Sequence, residues 1–228
     1  MSRRLFDLSQ NIPKDLTYAA GATFGRGAVL GWSELAETKL AQTSLLAFSD
    51  HVSTHIDAPA HFHPGGKTID EMPPELFLEA PALWLDCSGK GAGEAVSAEE
   101  IEGALADCGE KIAPGDVVLL YTGCSRRWGK PDYRLGVRPI APAAVEWLLA
   151  RGVKLFGVDG PEIDDDPIEW PAHKLLRKHE FYVIENLAMW PAVTELPRRF
   201  RLIAMPLAIR GATASPARVV AVVDASPA

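Results

Sequence analysis

Three of this chain's six histidines and an aspartate fall within eleven residues, in the stretch His51-Val-Ser-Thr-His55-Ile-Asp57-Ala-Pro59-Ala-His61-Phe62. Strand side chains alternate with a period of two, so an extended segment would put His51, His55, Asp57 and His61 on one face and Val52 and Ile56 on the other. Ala58 precedes Pro59 and is steered to extended backbone, which favours carrying that face on to His61. Neutral imidazole and carboxylate are the usual donors for a divalent transition metal. The fold must therefore bury an apolar side of this segment while presenting its polar side to an ion. The segment reads as one half of a metal site in a hydrolase. Its bland alternative is a polar strand face open to solvent.

Composition bounds the rest. With 228 residues, 47% hydrophobic and 23% charged, the chain is expected to form one domain over residues 1–228 with a sizeable core. A formal net charge of −7 argues against nucleic acid as a partner. Cys87, Cys108 and Cys124 form no CxxC pair and are odd in number, which suits a reducing compartment and disfavours a zinc–thiolate site. No stretch approaches the ~18 apolar residues of a membrane span, and the opening residues lack the apolar core of a signal peptide. A cytoplasmic location with no membrane partner is the expectation.

Element signals alternate along the chain. Strands are expected at Leu5–Leu8, at Thr43–Phe48 (as a buried strand), at Ala82–Asp86 and at Asp116–Thr122. Further strands are expected at Val153–Val158, Phe181–Ile184, Phe200–Ala204 and Arg218–Val223. Ser97 with Glu100 reads as a capping box opening a helix to about Asp107. Pro142–Arg151 reads as a helix stopped by Gly152, and Pro171 opens another to about His179. Residues 116–158 thus read as a β-α-β unit with parallel pairing. The glycine-rich stretch Ala19–Trp32 reads as a loop lining a site or touching a partner subunit. The class is α/β with a mixed sheet.

A metal site needs ligands from a second segment. His173, near the start of a helix, and Glu185, at the end of the next strand, can converge because helix–turn–strand units bring their outer ends together. From position alone, His173 reads equally as a surface histidine among Lys174, Arg177 and Lys178, and Glu185 as a solvated strand cap. His63 and His179 read as residues at the surface or just behind the ligands. Asp164-Asp165-Asp166 lacks the spacing of a calcium loop and reads as solvated. Cys124 has no local histidine and does not read as a nucleophile. Trp128, Trp147, Trp170 and Trp190 read as core or interface, with Trp190 the better pocket candidate.

The pattern from His51 to Phe62 resembles H-x-G-T-H-x-D-x-P-x-H-F of the cyclase family of metal-dependent hydrolases, which includes bacterial kynurenine formamidases, isatin hydrolases and some lactone hydrolases. The resemblance extends, in order, through Asp7-Leu8-Ser9, Tyr121-Thr122-Gly123, Gly157-Val158-Asp159, His173-Lys-Leu-Leu176, Glu185-Asn186-Leu187 and Ala214-Ser-Pro-Ala-Arg-Val219. It implies a swivelling β/β/α-type fold, one domain with a central, partly barrel-like mixed sheet flanked by helices. It implies that His51, His55 and Asp57 bind one ion, that Asp57 bridges to a second held by His173, that Glu185 touches both, and that His61 is the catalytic proton carrier. Two divalent ions follow, zinc favoured and manganese possible on ligand chemistry. The implied activity is cleavage of a carbonyl C–N bond in a small molecule, most like an arylformamidase, by a homo-oligomer (a dimer or dimer of dimers). Ring opening of a cyclic amide or lactone is the alternative, and a non-catalytic metal-binding relative a third reading. Two departures stand out: Ser53 replaces the pattern's glycine, and the N-terminal loop lacks the formamidases' Trp-Pro-Gly stretch, leaving Phe24 and Trp190 as weak substrate-contact candidates.

Overall fold

In the computed structural model, residues 2–13, 29–37, 42–164, 166, 168–176 and 179–224 are described. Ten strands are found there: β1 (Arg3–Asp7), β2 (Val29–Glu37), β3 (Gln42–Phe48), β4 (His55–Asp57), β5 (Ala80–Asp86), β6 (Val117–Tyr121), β7 (Leu155–Val158), β8 (Tyr182–Glu185), β9 (Arg199–Pro206) and β10 (Ala214–Asp224). The α-helices are α1 (Ala98–Cys108), α2 (Pro142–Leu149) and α3 (Pro171–Leu176). The main sheet runs β1-β10-β4-β8-β7-β6-β5-β9, and β9 pairs back onto β10, closing seven strands into a barrel with β1 appended. β5 to β8 are parallel to one another and the remaining pairings are antiparallel, so the expected mixed, barrel-like sheet is present.

The parallel strands are buried on both faces, which is why they read as continuous apolar runs. Alternation divides their side chains. Val117, Leu119, Tyr121, Tyr182 and Ile184 join the cluster inside the barrel with Leu8, Ile56 and Trp84. Val118, Leu120, Phe156, Val158 and Val183 face outward, where Ile101 of α1, Val145 and Leu148 of α2, and Ala172 and Leu176 of α3 cover them. Gly157 faces inward: a Cβ there would stand 2.7 Å from Leu187 Cδ1 and 2.8 Å from Leu119 Cδ2. The barrel is closed too tightly at that point for any side chain.

Several expectations need correction. Thr43–Phe48 is a strand but not a buried one: β3 pairs only with β2 in a separate two-stranded sheet, and Leu45 is 57% exposed. Period-free hydrophobicity cannot distinguish a core strand from an exposed ribbon. Residues 29–32 of the supposed loop belong to β2, while 19–28, including Phe24, lie outside the described residues. The Ser97 cap is half of the expected box: its side chain accepts from the Glu100 amide at 3.2 Å, but the Glu100 carboxylate turns to Arg138 instead, at 2.7 and 2.9 Å. The segment from His51 to His61 is not one extended face either. Only His55–Asp57 is strand, Ser53 sits in the left-handed region at φ 55°, and Pro59–His61 forms a 3-10 turn after an extended Ala58. Ser53 occupies the position where the pattern has glycine, and the positive φ explains that preference. Its strain costs about 1–3 kcal/mol, and the hydroxyl offsets part of it, lying 3.0 and 2.9 Å from the carbonyls of Gln10 and Asn11.

Candidate metal centre

β4 and β8 build the centre by simple register. His55 pairs directly with Glu185 and Asp57 with Val183, so His55, Asp57 and Glu185 project from the outer barrel face while Ile56 and Ile184 fill the interior. His55 Nε2 lies 3.3 Å from Asp57 Oδ1 and 3.4 Å from Glu185 Oε2. The turn before β4 swings His51 over the same face, with Nδ1 2.8 Å from Asp57 Oδ1. From the other side α3 delivers His173, whose Nε2 is 3.5 Å from Glu162 Oε1, 3.9 Å from Asp57 Oδ2 and 4.0 Å from Glu185 Oε1. All five residues expected as ligands are buried and converge.

The outer nitrogens of these rings fix what the inner ones can do. His55 Nδ1 donates to the Ser53 carbonyl at 2.8 Å, and His173 Nδ1 donates to Asp164 Oδ2 at 2.6 Å. His51 Nε2 meets Thr213 Oγ1 at 3.1 Å, and that hydroxyl itself donates to Asp50 at 3.1 Å, leaving Nε2 as the donor. In a neutral imidazole with one nitrogen donating, the other carries a lone pair. Each lone pair is then aimed at a carboxylate oxygen, an arrangement that repels unless a proton or a cation stands between. Neither His55 Nε2 nor His173 Nε2 has a hydrogen-bond partner among the described residues. Donors held 2.0–2.2 Å from one ion sit roughly 3–3.5 Å from each other; the His55 contacts and the His173–Glu162 contact fall in that range, and Asp57 and Glu185 lie somewhat farther from His173. The residues fit a divalent metal.

Electrostatics makes the same demand. Burial works against charging His173, but the charges of Glu162 and Asp57 and the bond to Asp164 overcome it and raise its pKa to about 9. Burial also opposes charging His55, and Asp57 with the Ser53 carbonyl reverses this, so its pKa is raised. Burial pushes Asp57 up, yet His51, His61 and His173 hold it well below the ordinary carboxylate range. Three sets of donors, each lying within 4.8 Å of one another, overlap here: His51–Asp57–His61, His55–Asp57–Glu185 and Glu162–His173–Glu185. Asp57 and Glu185 each belong to two of them. Shared carboxylates of this kind are what a two-ion site needs.

His61 reaches the centre by a different route from the one its spacing suggests. The 3-10 turn, and not a continued strand, lays its half-buried ring 4.0 Å from that of His51 and 6.1 Å from that of His173. Phe62 stacks on His173 at 3.9 Å and meets Trp170 at 5.7 Å, giving the site an aromatic wall. Trp190 does not join it: its contacts among the described residues are Arg126, 4.2 Å over the ring, and Ser125. His63 and His179 are exposed, as expected, and burial raises the Cys124 thiol pKa far above the range of a nucleophile.

The expectation of a solvated Asp164–Asp166 loop is wrong for its first member. Asp164 is buried and accepts from the amides of Ala172 at 2.8 Å and His173 at 3.0 Å as well as from the His173 ring. It starts α3 and orients the His173 ring at once. Glu162 was missed altogether. Neither has a local sequence signal, because their partners lie beyond a loop.

A closed mixed barrel bearing a buried histidine–carboxylate centre on its outer face defines a metal-dependent hydrolase. The chain belongs to the Cyclase family, whose model matches residues 6–165. It is 31% identical over 219 residues to kynurenine formamidase of Bordetella pertussis, covering 96% of this chain and 97% of that protein. With kynurenine formamidase of Paracidovorax citrulli it shares 35% identity over 179 residues, 78% of each. Isatin hydrolase A of Labrenzia aggregata superposes with a TM-score of 0.82 at 26% identity, covering 97% of this chain and 94% of that one. No described helix is long and apolar enough to cross a membrane.

Proposed function

We propose that the chain acts as one domain that hydrolyses an aryl formamide, with His51, His55, Asp57, His173 and Glu185 holding two divalent ions and Asp57 and Glu185 shared between them. The observation that carries this reading is the set of three imidazole lone pairs pinned toward those two carboxylates. Zinc suits the imidazoles and manganese the carboxylates. Divalent ions in this position supply Lewis acidity toward the carbonyl and draw the pKa of water toward about 7. The protein's own groups do the remainder. Asp57 and Glu185 hold the ions in register, and Phe62 with Trp170 screens the His173 side from water. His61 takes one proton of the attacking water and gives it to the nitrogen as the C–N bond breaks, so that a neutral amine leaves together with formic acid, which parts into formate and a proton in solution. The protein is proposed to work as a homo-oligomer, a dimer or a dimer of dimers.

A second reading, ring opening of a cyclic amide, is favoured by the superposition on isatin hydrolase A. From the missing Trp-Pro-Gly stretch we infer that N-formylkynurenine is not the best substrate. Catalytic efficiency on N-formylkynurenine, a simple aryl formamide, isatin and a lactone, each before and after chelation, tests all of this. Preference for isatin would move ring opening into first place, and full turnover by protein shown to be metal-free would overturn the metal mechanism itself.

A further inference from the structure

Glu162 is not among the residues that the sequence pattern marks as ligands, yet its carboxylate stands closest of all to the inner nitrogen of His173. Oε1 is 3.5 Å from Nε2, nearer than Asp57 at 3.9 Å or Glu185 at 4.0 Å. Its donor atom lies within 4.8 Å of those of His173 and Glu185. The position is fixed from both sides. Gly160, just before it, accepts from the Asn186 amide at 2.7 Å, and Ile163, just after it, is fully buried and accepts from the Ile140 amide at 2.8 Å. The side chain is 11% exposed.

Like charges gathered in a buried site repel. Glu162 and Glu185 carry donor atoms within 4.8 Å of each other, and so do Asp57 and Glu185. The His173 ring, 1% exposed, has no hydrogen-bond partner for its Nε2 among the described residues, and it points into the same gap. Two independent features thus ask for a cation at one point: clustered carboxylates and an orphaned imidazole lone pair.

We propose that Glu162 is a ligand of the second ion, so that this ion is held by one imidazole and three carboxylates whereas the first has two imidazoles. The assignment rests on the two-ion reading above. It has a consequence for the ion's identity, because a centre with more carboxylates and fewer imidazoles favours a harder cation such as manganese. Glu162 and Asp164 line a pocket of about 320 Å³ together with Arg134 and Leu135.

The test is metal binding by Glu162→Gln, with Glu162→Asp beside it, measured by titration of the metal-free protein with Mn2+ and with Zn2+ against a chromophoric chelator, and by the electron paramagnetic resonance of the manganese-loaded protein. Gln keeps the side-chain shape and the oxygen that accepts from the Ile163 amide at 3.1 Å, so the fold is retained. Expected in Glu162→Gln are one ion bound as in the wild type, a second weakened at least tenfold with the larger loss for manganese, and replacement of the coupled two-ion signal by that of isolated ions. Glu162→Asp, still charged but shorter, should fall between. Two ions bound by Glu162→Gln with wild-type affinity would overturn the inference, even if turnover fell, because Glu162 would then act on the substrate. Wild-type protein that binds no more than one ion would instead sink the two-ion reading beneath it.

Discussion

Replacing Asp164 by asparagine should cost the second ion while leaving every proposed ligand in place. The carboxylate takes three N–H groups, from the Ala172 amide, the His173 amide and His173 Nδ1, at 2.8, 3.0 and 2.6 Å. An asparagine has one accepting oxygen and one donating nitrogen. If its oxygen stays with Ala172, its amide nitrogen faces His173, the His173 amide loses its acceptor, and the ring must move its proton from Nδ1 to Nε2. A protonated Nε2 donates to Glu162 or Glu185 and cannot bind metal. With the amide flipped, the nitrogen meets the Ala172 N–H, which loses its acceptor while His173 keeps both of its bonds. Loss of an orienting carboxylate behind a ligand histidine weakens metal binding about 10- to 100-fold, or about 1.4–2.7 kcal/mol. Asp164→Ala should differ: it loses the helix-starting bonds, destabilising the fold by about 2–4 kcal/mol, but leaves the ring free to choose the ligating tautomer. Isothermal titration with Mn2+ and urea unfolding of both variants separate the effects. If Asp164→Asn binds two ions with wild-type affinity, the argument from tautomers is wrong.

Three other outcomes follow from the geometry. His61→Ala should keep its metal while turnover falls about 10²–10⁴-fold, the ordinary worth of acid–base catalysis; an activated ester should narrow the gap, and an ion lost on elemental analysis would make His61 a ligand. Gly157→Ala forces a methyl to within 2.7 Å of Leu187 and 2.8 Å of Leu119, and overpacking of this kind costs about 1–3 kcal/mol by denaturant titration, without change in metal stoichiometry. The metal-free protein should lose stability as pH rises from about 6.5 to about 9, because His173 binds its proton more tightly folded than unfolded. Metal affinity rises over the same window, since binding requires the deprotonated ring, so melting temperatures of chelated and loaded protein should diverge with pH.

Much of the barrel was legible because β5 to β8 carry uninterrupted apolar runs bounded by turns, and the ends of these elements shifted by only a few residues. β3 was misread because its apolar run is the same on a ribbon as in a core, and burial is decided by what packs against it. The candidate ligands were legible for two different reasons. His55 and Asp57 share a strand, so their spacing of two carries geometric information; His51 and His61 reach the centre through a left-handed Ser53 and a 3-10 turn that their spacing of four only mimics. The same even spacing thus gave the right neighbours by a wrong route.

Glu162 and Asp164 had no such signal, and the reason is physical. A ligand on a strand is read from its neighbours, but a side chain on a loop is placed by the elements at either end, here β7 and α3, and by bonds to residues 8 to 26 positions away, such as Asp164 with Ala172 and Gly160 with Asn186. Alternation does not constrain such residues. What does constrain them is charge balance: a buried imidazole whose outer nitrogen donates needs a carboxylate behind it, and a two-ion centre with three imidazoles needs anions to neutralise it. Counting from the ligands outward, the acidic run after Asp159 was the nearest source of both. The negative charges around His173 are therefore better read as a consequence of the ion proposed for this site than as a solvated loop that lies beside it.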